Sequence, residues 1–110
     1  IYTVWTSWCP TCRAAMPFWE RNAAAFADEG VQVVAVNHRE DLAVVASASA
    51  SFPAGLTVWA DPDGAFLATL QSTDLPTTAF VDRTGRVVAV VRGPVSQSVA
   101  LRLVSDIASP

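Results

Sequence analysis

Two runs of β-branched and aromatic residues, 1–5 (IYTVW) and 31–37 (VQVVAVN), bracket one long stretch with helical spacing. Neither run carries a charge, as expected of strands buried on both faces. Between them, over residues 10–27, Cys12, Met16, Trp19, Ala23 and Phe26 recur on one side of a helix, while Arg13, Glu20 and Arg21 fall elsewhere. Strand, helix and strand in that order imply a parallel pair joined by a right-handed crossover. Pro17 predicts a kink in the helix, and Asp28-Glu29-Gly30 closes it, with Gly30 as the cap.

The rest of the chain completes a mixed sheet. Residues 41–50 read as a weakly specified Ala/Ser-rich helix, 56–60 as a short strand, and the Asp61-Pro62-Asp63-Gly64 turn leads into a short helix ending at Leu70. Residues 77–81 and 86–92 form a hairpin around Asp82-Arg83-Thr84-Gly85. After the Gly93-Pro94 break, residues 95–107 form a last helix with Val99, Leu103 and Ile107 inward. The fold class is therefore α/β, a mixed β-sheet with helices on both faces. A chain of 110 residues, 52% hydrophobic and 15% charged, supports one such domain and is not a disordered segment. The net charge of -3, with no basic run, argues against a nucleic-acid partner. No apolar run reaches the roughly 18 residues of a membrane-spanning helix. Because the sequence opens at Ile1, inside a strand, it is expected to be a trimmed domain of a longer protein, with any signal peptide or anchor upstream.

Both cysteines of the chain lie in Trp8-Cys9-Pro10-Thr11-Cys12, between the first strand and the first helix. A cysteine at a helix N-terminus meets free backbone N–H groups and the positive end of the helix dipole, which favour its thiolate. The thiolate is the form that attacks a disulfide. A second sulfur one turn along can then displace the first from the mixed disulfide. Cys9 is thus the attacking thiol, expected to be exposed, and Cys12 the shielded resolving one. Two blander readings compete. A structural zinc site takes four ligands, whereas the sequence holds two cysteines and the single His38. A structural disulfide here would close a very small loop and add little stability. Redox chemistry is preferred, with no metal.

The stretch Val4-Trp5-Thr6-Ser7-Trp8-Cys9-Pro10-Thr11-Cys12-Arg13 resembles the strand-to-helix signature of the TlpA/ResA/DsbE branch of thioredoxin-like proteins. Pro17 resembles that fold's active-site helix proline. Residues 34–40, ending in Glu40, resemble the branch's second strand, which runs into an acidic residue near the cysteines. Leu75-Pro76-Thr77-Thr78-Ala79-Phe80-Val81-Asp82 with Gly85 resembles the cis-proline strand and hairpin that end the fold. The likeness covers nearly the whole chain and accounts for residues 39–70 as the insertion this branch carries. It departs at Thr77, where some cytochrome-maturation members have an acidic residue.

The resemblance implies a thioredoxin-like fold and a protein thiol–disulfide oxidoreductase. Its only redox group would be the Cys9–Cys12 disulfide, with no further cofactor. It implies that the Leu75–Pro76 bond is cis, with the backbone of Leu75 facing the disulfide and pairing with an extended client segment. Trp8, Pro10, Thr11, Leu75 and Pro76 are then the client-binding residues. Glu40, expected to lie near Cys12 with its pKa raised by partial burial, would accept the proton that Cys12 must lose. Arg39 and Asp41 are its rivals for that role. The partners would be protein thiols and disulfides, together with a membrane redox protein that recharges the dithiol. A monomer in an extracytoplasmic compartment is expected, acting as a reductant; a disulfide donor and a non-catalytic binding module are the alternatives. Trp5 and Trp19 read as core, Trp8 as a half-exposed docking residue, Trp59 as packing, His38 as a solvated surface residue and Asp82 as a turn residue.

Overall fold

A computed structural model describes residues 1–109. Its elements are β1 (Tyr2–Trp5), α1 (Pro10–Asp28), β2 (Val33–His38), α2 (Leu42–Ala48), β3 (Leu56–Asp61), α3 (Ala65–Thr69), β4 (Thr77–Val81), β5 (Val87–Arg92) and α4 (Gln97–Ala108). The expected element order holds throughout, with boundaries moved by at most two residues. Residues 1–5 and 31–37 do become parallel neighbours: Tyr2 lies beside Val34 and Trp5 beside Asn37. The five-stranded sheet runs β3-β2-β1-β4-β5. β3 extends the parallel half beyond β2, while β4 and β5 close the other half as antiparallel strands.

The alternation of strand side chains builds a separate core on each face. One face holds Trp5, Val33, Ala35 and Phe80 against Met16, Trp19 and Phe26 of α1 and Leu103, Val104 and Ile107 of α4. The opposite face holds Val4, Val34 and Val36 against Leu67 of α3. Trp5 and Trp19 are both buried, as their strand and helix spacing predicts. Trp59 is 46% exposed, so it packs only in part, tilted against Tyr2 at 5.5 Å between ring centroids.

The ends of α1 follow from local chemistry. Gly30, at φ 81°, takes the left-handed conformation that ends the helix, with its N–H bonded to the Ala27 carbonyl and the Val31 N–H to that of Phe26. Pro17 is accommodated within one continuous helix. At the other end, Cys9 is the N-cap residue and Pro10 fills the first helical position, where its missing N–H is not needed. The parallel order carries this N-terminus and the chain leaving β2 to the same edge of the sheet, where α/β folds place their sites.

Candidate active site

Cys9 caps α1 through its sulfur: the Cys12 backbone N–H donates to Cys9 Sγ at 3.2 Å. Thr11 Oγ1 lies 3.3 Å from the same sulfur and donates to the Leu75 carbonyl at 3.2 Å. The Cys9 thiol itself reaches that carbonyl at 3.8 Å. The loop before β4 therefore folds directly over the motif, and the Leu75–Pro76 bond is cis. Leu75 is half-buried, Pro76 is buried, and Pro10 and Thr11 are exposed. Trp8, at 65% exposure, projects further into solvent than the half-exposed position expected of it.

One expectation about the sulfurs is corrected. Cys9 is not exposed: it retains only 4% of its surface, against 0% for Cys12. The cap geometry draws its sulfur back over the first turn, beneath Thr11 and Leu75. Both cysteines are free thiols. Their acidities part nonetheless. Burial pushes the Cys9 thiol up, but hydrogen bonds from Cys12 and Thr11 more than offset it and leave its pKa below the ordinary thiol value. Burial also pushes Cys12 up, to about 12; the hydrogen bond to Cys9 and its charge add to the rise, while a backbone hydrogen bond from Thr6 opposes it.

Glu40 reaches this edge by a route the sequence did not reveal. Its carboxylate accepts from the Ser7 N–H at 2.7 Å, from the Ser7 hydroxyl at 2.5 Å and from Asn37 Nδ2 at 2.8 Å. Burial raises its pKa, but these bonds outweigh burial and hold the carboxyl below its usual range, reversing the expected direction. Glu40 thus ties the end of β2 to the segment leading into Cys9, and its hydrogen bonds go to Ser7 and Asn37. Its rivals do not join it: the Arg39 side chain lies against Gly64, and Asp41 is the N-cap residue of α2.

Ser7 and Asn37 are the site residues that sequence reasoning missed. Asn37 ends an otherwise apolar buried strand and is itself fully buried, and a buried amide needs a partner; that was the available signal. His38 is corrected as well. It is partly buried with Nδ1 enclosed and without a hydrogen-bond partner, because Gly64 packs against the ring. Asp82 is the turn residue expected, with Oδ1 accepting from the N–H groups of Thr84 and Arg86. No cluster of three or more metal-ligating side chains occurs among the described residues.

An apolar groove of about 230 Å³ runs from Thr11 past Ala15 and Phe18 to Pro94 and Val95. The surface beside the sulfurs thus joins a polar backbone edge at Leu75 to an apolar channel along α1.

Comparison with known proteins places this geometry. The redoxin family profile matches residues 1–106. The chain is 32% identical over 94 residues to the thiol-disulfide oxidoreductase ResA of Bacillus subtilis, a match covering 86% of this chain and 52% of that protein. It spans about half the length of the curated relatives it matches. Among solved structures, DsbF from MTB superposes with a TM-score of 0.84 at 33% identity, over 96% of this chain and 78% of that one. A secreted Mycobacterium tuberculosis disulfide oxidoreductase superposes with a TM-score of 0.78 at 26% identity, over 96% and 78% of the two chains.

Proposed function

The chain belongs to the redoxin family, as a thioredoxin-like protein of the TlpA/ResA/DsbE type, and from that premise we propose that it exchanges electrons with protein disulfides through Cys9 and Cys12. The observation that carries the reading is the different setting of two neighbouring thiols. Cys9 Sγ caps α1, accepting from the Cys12 N–H at 3.2 Å beside Thr11 Oγ1, while Cys12 is fully buried one turn along. The first setting lowers a thiol pKa and the second raises it.

The reaction follows from that difference. Cys9 loses its proton to solvent, and its thiolate attacks one sulfur of a client disulfide. The Cys9–client S–S bond forms as the client's own S–S bond breaks, and the departing client sulfur leaves with the electron pair and takes up a proton. Cys12 must then ionise. Two of the influences that raise its pKa come from Cys9, as a hydrogen-bonding and charged neighbour. Both disappear once Cys9 is held in the mixed disulfide, so capture of the client itself makes the resolving thiol more acidic. Cys12 attacks Cys9 Sγ, and the Cys9–Cys12 disulfide forms as the Cys9–client bond breaks. The second client sulfur leaves with the electron pair and takes up a proton in place of the one Cys12 gave up. Two electrons pass to the client in this direction, in which the chain acts as a reductant; the reverse sequence would make it a disulfide donor.

The client would lie across Trp8, Pro10, Thr11, Leu75 and Pro76, with an apolar side chain in the groove along α1. Glu40 acts as an ionised positioning group: it fixes Ser7 and, through it, the approach of the chain to Cys9. A carboxylate held below its usual pKa is a poor acceptor for the proton of so weak an acid as Cys12. No cofactor beyond the cysteine pair is required, and a monomer suffices. The oxidised pair needs two electrons to return to the dithiol, which a membrane redox protein would supply. An extracytoplasmic setting is supported by similarity to the secreted mycobacterial oxidoreductase.

Insulin reduction driven by dithiothreitol tests the reading. The chain should accelerate precipitation of the insulin B chain, and Cys9→Ser should be inert; equal rates with and without the chain would contradict it.

A further inference from the structure

We propose that Thr11 couples ionisation of Cys9 to the opening of the Leu75 carbonyl for a client's backbone. The inference rests on the exchange reaction above and adds a positioning residue to it.

Three atoms form a closed triangle: Cys9 Sγ to Thr11 Oγ1 at 3.3 Å, Thr11 Oγ1 to Leu75 O at 3.2 Å, and Cys9 Sγ to Leu75 O at 3.8 Å. A carbonyl oxygen has two lone pairs, and a hydroxyl has one proton to give. While Cys9 is a thiol, its S–H and the Thr11 O–H both point to Leu75 O, and both lone pairs are engaged from inside the site. Loss of the Cys9 proton removes the first donor outright. It also turns the sulfur into a charged acceptor, and hydrogen bonds to a charged acceptor are about twice as strong as neutral ones. The single Thr11 proton therefore swings from Leu75 O to the sulfur, a rotation about one bond. Both donors leave the carbonyl in the same event.

Leu75 is half-buried and Thr11 is exposed, so an extended client segment can reach the vacated oxygen with a backbone N–H. The client is gripped when Cys9 is ready to attack. When Cys9 enters a disulfide its sulfur is neutral again, the Thr11 proton returns to Leu75 O, and the hydroxyl competes with the client's N–H, which favours release. The hydroxyl of Thr11 is also among the groups that lower the Cys9 pKa, consistent with its swing toward the thiolate. Other titratable and charged groups around the triangle are the Cys12 thiol on α1, Glu40 acting through Ser7, and Arg13 and Asp74, which flank the motif and Leu75.

The test measures binding apart from chemistry. A neutral, end-capped peptide with S-methylcysteine at its centre cannot exchange disulfides, and its affinity for the reduced chain is read by titration calorimetry on either side of the Cys9 titration. The parent chain and Thr11→Ser should bind about fivefold tighter above that titration than below it, the scale of one net hydrogen bond. Thr11→Val should reduce the gain to about twofold or less on the same scale, and Cys9→Ser should abolish it. A peptide N-methylated along its backbone should show no gain with the parent, a control that needs no altered protein. Equal parent affinity on both sides, or a full gain in Thr11→Val, overturns the inference. Insulin reduction by the same parent sample separates the two readings: a chain that reduces insulin but binds without pH dependence loses only the role of Thr11, whereas one that does not reduce insulin loses the exchange reaction itself.

Discussion

At the rim of α1, Cys9 faces backbone N–H groups and the Thr11 hydroxyl; on the inner side of the same turn, Cys12 shares the buried face with Met16 and Trp19. Both residues are almost wholly withdrawn from solvent, at 4% and 0% exposure, yet the first thiol is pulled below its ordinary pKa and the second is pushed to about 12. Exposure alone therefore does not divide the roles. Donors aimed at the sulfur do: those at Cys9 outweigh its desolvation, whereas the two backbone bonds to Cys12, from Thr6 and from its own N–H, do not. Division of labour between two identical side chains comes from which end of a helical turn each occupies.

The largest effect that would break this comparison is loss of one sulfur. Cys9→Ser should abolish exchange, whereas Cys12→Ser should still attack and accumulate mixed disulfides, visible on non-reducing gels. Equal trapping by both variants would mean that the roles are not divided. Next in size is reactivity. Three or more pKa units between the thiols, partly offset by the lower nucleophilicity of the more acidic one, give Cys9 an advantage of about thirtyfold or more toward iodoacetamide near neutral pH. Peptide mapping after brief alkylation reads the ratio, and comparable labelling would contradict it.

Smaller changes sharpen the comparison. Met16→Ala removes the side chain one turn below Cys12 and should cost about 2–5 kcal/mol in urea unfolding. By admitting water it should also bring the Cys12 pKa down while leaving that of Cys9 in place. Glu40→Gln should cost about 1–3 kcal/mol, since a neutral amide cannot accept all three hydrogen bonds. Because the folded carboxyl has a pKa below its unfolded value, its contribution is present above the unfolded value and is lost as pH falls through the folded one. The variant should therefore lose less stability than the parent on acidification, and identical acid titration curves would remove Glu40 from the account.

Much of the fold was legible because the signals were local. The period of α1, the apolar strands and the Gly30 stop are each set within a few residues, and the sheet order follows from their succession. The cysteine motif was legible for the same reason. The rest depended on distance in sequence. Glu40 could be placed at the right edge, but its partners Ser7 and Asn37 come from two different strand ends, and only the fold shows that three donors converge on it. Without them, burial alone suggested a raised pKa, and the direction came out reversed. Cys9 was expected to be exposed because a helix N-terminus usually is; the loop carrying Leu75, far along the chain, covers it. His38 went the same way, its ring enclosed by a turn that begins beyond β3.

The most direct measurement is a titration of both thiols by the carbon-13 chemical shift of cysteine Cβ in the reduced chain. The expected result is one resonance, assigned to Cys9, titrating below the ordinary thiol value, and a second, assigned to Cys12, still protonated until pH nears 12. Two thiols titrating together, or Cys12 titrating first, would contradict the assignment of Cys9 as the attacking sulfur and Cys12 as the resolving one.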